Sequence, residues 1–102
     1  MNGVVLGDDV LQMNDDDDVG TALSDLDAGT DIPYDGGVEV RERVPFGHKV
    51  SLVARDPGDP VTKYGERIGQ ATRRIAPGEW VHTHNVESRR GRGDVTAATE
   101  GD

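Results

Sequence analysis

Pro57-Gly58-Asp59-Pro60-Val61 recurs further along the chain as Pro77-Gly78-Glu79-Trp80-Val81, and Leu26-Asp27-Ala28-Gly29 is a weaker third copy. Pro at the second and Gly at the third position of a four-residue turn are typical of a type II turn, which needs a positive φ at its third residue. Each copy is therefore predicted to be a turn that leads into a strand. Repeated turns and strands with little helical periodicity between them predict a small, mostly β domain with pseudo-symmetric hairpins.

Apolar alternation indicates two further strands. Val38 to Val44 alternates valines with polar residues, as a half-buried strand does, and Pro45 ends it. Lys49 to Val53 is the second predicted strand. Between Val19 and Leu26 the apolar residues mix periods of 2 and 3.6, so that a short strand and a single helical turn both remain open. The preceding run of aspartates, 15–18, lacks the alternating ligands and the Gly of a calcium loop, and we expect a solvated turn there.

Length and composition limit what this chain can do alone. It has 102 residues, of which 33% are hydrophobic and 4% aromatic, so we expect one small domain without room for an enclosed active site. The absence of cysteine excludes disulfides and thiolate metal sites. No apolar run approaches the length of a membrane span, and no signal peptide is evident. We therefore expect a soluble, cytoplasmic protein that does not bind membranes and that relies on a partner surface.

The charge is strongly negative. Twenty acidic residues against eleven basic ones give a formal net charge of −9, and fourteen of the acidic residues are Asp. The only two lysines are Lys49 and Lys63. Short carboxylates with almost no lysine favour adaptation to high salt, where screening removes self-repulsion, over an ordinary acidic protein. We expect no nucleic-acid partner, because nucleic-acid binding requires the opposite charge.

The histidines are the first candidates for chemistry. His82 and His84 are two residues apart, so on an extended strand they point to one side, where they can converge on a metal ion or an anion. Thr83 would then face the opposite way. His48 follows Gly47 in a predicted turn, and both lysines lie near these segments. The alternative is a pair of exposed strand histidines without a function.

Three motifs follow one another along the chain: Val44-Pro45-Phe46-Gly47-His48-Lys49-Val50, Lys63 to Thr72, and Gly78-Glu79-Trp80-Val81-His82-Thr83-His84-Asn85. In this order they resemble the N-terminal domain of the altronate and galactarate dehydratases, and the small subunit of sulfolactate sulfo-lyase is similar. Asp18-Val19 and the pattern from Leu23 to Gly29 resemble the opening of that domain. The resemblance covers residues 15–88. It leaves an N-terminal segment, 1–14, and a tail, 89–102, and we expect the tail to be disordered.

The resemblance implies a SAF-type β-clip fold with bent hairpins, and a small subunit or N-terminal domain of a lyase that dehydrates a sugar acid such as altronate or galactarate. Most of the catalytic machinery would belong to a large subunit. The resemblance also implies a divalent metal ion, iron or manganese, held mainly by that large subunit. Dehydration needs groups that move protons and groups that hold a carboxylate. The residues expected to be catalytic are His82, His84 and His48, of which His82 and His84 are also the candidate metal ligands. The residues expected to bind substrate are Lys49, Lys63, Arg67 and Asn85.

Two alternatives to the dehydratase subunit stay open at this point. One is the small subunit of a sulfolactate sulfo-lyase, and the other is a non-catalytic module that binds carbohydrates or anions. Association, with itself or with the large subunit, is expected to bury apolar turns around Phe46 and Trp80.

The composition generates a prediction about stability. At about 0.01 M salt the Debye length is about 30 Å, so the carboxylates of this chain repel one another, whereas at about 1 M it is about 3 Å. We expect the melting temperature, followed by circular dichroism, to rise markedly from dilute buffer to molar KCl. A melting temperature that does not respond to KCl would show that the acidic composition has no role in stability.

Overall fold

The computed structural model describes residues 3–88, and every regular element in that range is a β-strand. In chain order the ten strands are β1 Val4–Leu6, β2 Val10–Gln12, β3 Val19–Ala22, β4 Asp31–Ile32, β5 Val38–Glu39, β6 Lys49–Ser51, β7 Pro60–Lys63, β8 Glu66–Ala71, β9 Trp80–Val81 and β10 Val86–Ser88. The expected mostly β class is confirmed. Within the described range there is no helix long and apolar enough to cross a bilayer. The predicted tail, 89–102, lies outside the described residues.

The strands form three antiparallel sheets. The largest has five strands in the order β1-β2-β3-β6-β9, the next has three in the order β10-β8-β7, and β4 pairs with β5. For the segment from Val19 to Leu26 the sequence allowed a short strand or a helical turn. The structure has a strand there, β3. The strand predicted from Val38 to Val44 is shorter than expected, because only Val38–Glu39 pairs as a strand. Val40 and Val44 are nevertheless buried, as their alternation predicted.

The three predicted type II turns are present. Gly29, Gly58 and Gly78 have φ values of +94°, +90° and +91°, the region that favours glycine. In each turn the N–H of the fourth residue donates to the carbonyl of the first, with N···O distances of 3.1, 2.9 and 3.2 Å. A fourth turn of this kind runs from Pro45 to His48, with Gly47 at φ +83°. The Pro-Gly repeat of the sequence did not predict this turn, because Phe46 separates its Pro from its Gly.

Reciprocal backbone hydrogen bonds relate the two halves of the domain. In each of the four turns the glycine N–H donates to the carbonyl of a residue elsewhere in the chain. The N–H of this second residue donates back to the carbonyl of the residue that follows the glycine. The residues that accept and donate in this way are Val40, Ala22, Ala71 and Ser51, opposite Gly29, Gly47, Gly58 and Gly78 respectively. Two isolated bridges, Leu26 with Val44 and Arg55 with Ile75, close the same pattern in each half. The predicted pseudo-symmetry is thus confirmed at the level of the backbone.

The core consists of two apolar clusters. One gathers around Val10, Leu26 and Val50, and the other contains Val61, Ile75 and Val81. Because Val10 in β2 is fully buried and β1 and β2 belong to the five-stranded sheet, the predicted boundary at residue 15 lies too late in the chain. The N-terminal segment is part of the domain.

The aspartate run is not simply a solvated turn. Asp17 and Asp18 are 2% and 7% exposed, and their side chains accept hydrogen bonds from the second half of the chain. Buried carboxylates are rare unless they are fully hydrogen-bonded, so these contacts are structural. The expectation of a solvated turn is therefore wrong for these two residues, whereas Asp15 and Asp16 are exposed.

Two equivalent glycines allow a matched test of the turns. A Cβ at Gly58 would meet no atom within 4 Å, whereas one at Gly78 would overlap the backbone carbonyl of Glu39. We expect Gly58→Ala to lower the free energy of unfolding by about 1–2 kcal/mol, the cost of the left-handed backbone. Gly78→Ala should cost about 2–5 kcal/mol, since overpacking adds to it. Urea unfolding of both variants measures the difference, and equal losses would contradict the close approach at Gly78.

Candidate anion-binding site

A cleft of about 410 Å³ opens where the five-stranded sheet meets the three-stranded sheet. Its apolar floor is formed by Val81 of β9, Ile68 of β8 and Val86 of β10. The polar side chains that line it are Lys49, Lys63, Tyr64, His82, Thr83 and Ser88. The strands β6 and β7 position the two lysines, because each lysine lies at the end of its strand that borders the cleft.

The cleft has the opposite charge to the rest of the molecule. Both lysines of the chain line it, and no carboxylate is among the described residues that do so, although the chain carries twenty acidic residues. Burial lowers the pKa of Lys49 below its ordinary 10.5, and the nearby charge of Lys63 lowers it further. A bound anion would offset both effects.

The segment His82 to Asn85 is a turn, and the prediction of an extended strand through it is wrong. Strand β9 ends at Val81, and the N–H groups of Asn85 and Val86 both donate to the carbonyl of His82. Thr83 consequently lines the cleft together with His82, whereas the strand interpretation had pointed it away.

Asn85 holds this turn in place. It is fully buried, its Oδ1 accepts the His82 N–H at 3.0 Å, and its Nδ2 donates to the Trp80 carbonyl at 2.8 Å. Its amide is therefore engaged inside the turn and is not on the cleft, where the sequence interpretation had expected it to meet substrate. Arg67 is exposed, donates to Gln70 Oε1 at 2.9 Å and is not among the lining residues.

The three histidines do converge, but on Trp80. The ring centroids of His48, His82 and His84 lie 5.4, 5.4 and 5.3 Å from that of Trp80, and the rings of His48 and His82 are 5.2 Å apart. His82 stacks almost parallel to the indole, at 10°. Of the three, only His82 also lines the cleft.

Trp80 was not predicted as a site residue, yet it orients two of them. Its Nε1–H donates to Nδ1 of His48 at 3.3 Å, so Nδ1 carries the lone pair and the proton of the neutral ring is on Nε2. The stack with His82 fixes the plane of the second imidazole. The signal available in the sequence was the position of Trp80 two residues before His82, at the end of the repeated turn.

The described residues do not by themselves form a metal site. Across residues 3–88, no three His, Asp or Glu side chains are arranged so that they could hold one metal ion. The predicted pair, His82 and His84, packs against the indole, and two histidines alone are a weak site. The role of these residues as metal ligands stays a prediction.

The fold and the cleft define a small β domain that presents a cationic groove between two sheets. This chain belongs to the altronate/galactarate dehydratase SAF domain family, whose sequence pattern matches residues 8–89. The resemblance seen in the sequence is thereby confirmed. The match begins at residue 8, before residue 15, and the strands β1 and β2 of the five-stranded sheet also precede residue 15.

Its relatives differ greatly in length. Altronate dehydratase of Bacillus subtilis is 33% identical over 79 residues, which are 76% of this chain and 16% of that protein. Galactarate dehydratase (L-threo-forming) of Escherichia coli is 38% identical over 70% of this chain and 14% of its own length. The (2R)-sulfolactate sulfo-lyase subunit alpha of Paracoccus pantotrophus is 47% identical over 46% of this chain and 70% of its own length. The chain thus spans about one sixth of the dehydratases it matches.

The lowered pKa of Lys49 generates a prediction about pH. Its ammonium form binds anions, so affinity for inorganic sulfate should fall as the pH rises from neutral through the Lys49 pKa, which lies below 10.5. A calorimetric titration with sulfate at several pH values measures this. Lys49→Arg keeps its charge at every pH in that range and should retain affinity to higher pH. Loss of affinity at the same pH in both proteins would contradict the assignment to Lys49.

Proposed function

We propose that this chain is the small subunit or N-terminal domain of a hydro-lyase that dehydrates a sugar acid such as altronate or galactarate. The observation that carries the proposal is the cleft: both lysines of a chain with net charge −9 line it, and no carboxylate is among its described lining residues. A carboxylate-bearing substrate of up to about six carbons suits such a groove, because drug-sized and smaller ligands occupy pockets of about 300–1,000 Å³.

The side chains of the cleft can divide the reaction between them. Dehydration removes a proton α to the carboxylate and expels a β-hydroxyl, so it needs a cationic clamp and at least one proton carrier. Lys49 and Lys63 are the clamp in this proposal. His82, which lines the cleft and is held by Trp80, is the group that gives a proton to the departing hydroxyl or takes the one α to the carboxylate.

The remaining machinery would come from a larger partner. The cleft of this chain is an open groove. The altronate and galactarate dehydratases that it resembles carry most of their length outside the matched region. Phe46 is 67% exposed in the turn from Pro45 to His48, and it is the proposed contact to the large subunit. Any divalent metal would take ligands from that subunit, since the described residues of this chain do not complete a site. Self-association and a cytoplasmic location stay predictions.

A sulfo-lyase acting on sulfolactate is the second candidate. Two relatives named as sulfo-lyase alpha subunits match over 55% and 70% of their own length, so they are small chains of which this domain is the larger part. A sulfonate and a carboxylate would both be anionic partners for the two lysines. An activity assay of this chain with its partner must therefore include sulfolactate.

The test is reconstitution with a large dehydratase-like subunit, followed by assays on altronate, galactarate and sulfolactate. We expect turnover only by the assembled pair, and a fall of about 10²–10⁴-fold in kcat for His82→Ala, which removes a proton carrier. Lys49→Met should raise KM by weakening the clamp.

Arg74→Met is the matched control for charge, since Arg74 is exposed and pairs with Asp56 away from the cleft. It should leave both constants unchanged. No turnover with any of the three acids would favour the binding-module alternative. Normal turnover by His82→Ala would remove the histidine from the mechanism.

A further inference from the structure

Asp17 is a buried carboxylate that the proposed mechanism does not use. It is 2% exposed, and each of its oxygens accepts one backbone N–H of the same turn: Oδ2 from Tyr64 at 2.9 Å and Oδ1 from Gly65 at 2.8 Å. Its own backbone is fixed as well, because its N–H donates to the Asn14 carbonyl and its carbonyl accepts Gln12 Nε2. The carboxylate is thus a rigid acceptor aimed at one hairpin turn.

That turn has an unusual residue in a demanding conformation. Lys63 pairs with Glu66 across the β7–β8 hairpin, and the two residues between them have φ values of +58° at Tyr64 and +73° at Gly65. Positive φ at both central residues is the type I′ geometry, which favours Asn-Gly or Gly-Gly. A tyrosine in that position is a genuine outlier, and the surrounding structure must hold it there.

The strained turn faces the cleft. Lys63 and Tyr64 are both lining residues, and Lys63 Nζ lies 4.8 Å from the centroid of the Tyr64 ring. A cation over an aromatic ring is attracted to it, so the ring helps to place the ammonium. Backbone strain of this kind concentrates at ligand-binding positions, where it keeps side chains preorganised.

We propose that Asp17 is the positioning residue of the cleft. By accepting both N–H groups of the turn, it holds the left-handed conformation that keeps the Lys63 ammonium and the Tyr64 ring at the mouth, where they contact a bound acid. The inference deepens the proposed function and rests on the cleft being an acid-binding site. Tyr64 then becomes a ligand-contacting residue in addition to the two lysines.

The experiment compares two neighbouring buried carboxylates in the full chain. Asp17→Asn keeps the shape but can accept only one of the two N–H groups and sets an NH₂ against the other. Asp18→Asn weakens the contacts to Arg55 and Thr62, and leaves the 64–65 turn untouched. Both variants should melt at lower temperature. Affinity for inorganic sulfate, measured by calorimetry, should fall about tenfold in Asp17→Asn, as expected for one lost charge-assisted contact, and less than about twofold in Asp18→Asn.

A second measurement reads the turn itself, without a ligand. The intraresidue amide-to-α-proton NOE of Tyr64 is strong at positive φ and should weaken in Asp17→Asn but not in Asp18→Asn. Adding Tyr64→Asn to Asp17→Asn places a residue that tolerates the left-handed region in the turn, so part of the sulfate affinity should return through Lys63. This double variant also serves if Asp17→Asn alone does not fold.

The outcomes separate the two claims. Unchanged sulfate affinity in Asp17→Asn, or an equal loss in both aspartate variants, would overturn the positioning role. Failure of the wild-type chain to bind sulfate would overturn the acid-binding cleft and with it the role of Asp17 at that cleft. The NOE would in that case still show whether Asp17 holds the turn.

Discussion

Two adjacent buried carboxylates determine where the second half of this chain can lie. Asp18 accepts a hydrogen bond from the guanidinium of Arg55 at 2.6 Å and another from the N–H of Thr62 at 2.9 Å. These contacts lie directly beside those that Asp17 makes. A buried carboxylate without such partners costs several kcal/mol. The segment that contains Thr62 and the following turn must therefore approach the start of β3, and this approach brings the three-stranded sheet against the five-stranded one. The cleft exists because these two sheets meet.

Charge is segregated in a way that couples stability to binding. The acidic surface and the two lysines of the cleft are opposite in charge. The two lysines are also close enough to each other for the charge of Lys63 to lower the pKa of Lys49. Their mutual repulsion would be relieved if an anion entered the cleft. The long-range field of a chain with net charge −9 opposes that entry, but it is screened within about 10 Å at about 0.1 M salt, whereas contacts inside the cleft are screened far less. Salt would thus ease both folding and the approach of an acid.

Sequence reasoning succeeded where structure is local and failed where partners are distant. The Pro-Gly turns were predictable because a positive φ at Gly58 or Gly78 is encoded within four residues. Alternation correctly indicated the burial of Val40 and Val44, but not that their backbones pair with separate partners, Thr30 and Leu26, which shortens the strand. The roles of Asp17 and Asp18 depend on residues 37 to 48 positions away, so a run of aspartates gave no sign of them. The histidine strand was wrong because the buried Asn85 amide closes a turn there.

The internal repeat explains why the cleft has two chemically different walls. The turn at Gly58 leads into β7 and the turn at Gly78 into β9, and both strands bury a valine, Val61 or Val81, in the same apolar cluster. That shared scaffold requires only the turn residues and the valines, so the residues where each strand ends are free to differ. One repeat ends in Lys63-Tyr64 and the other in His82-Thr83, and all four side chains line the cleft. A pseudo-symmetric backbone thereby brings a cation that can hold an acid opposite an imidazole that can move a proton, which neither repeat could do alone.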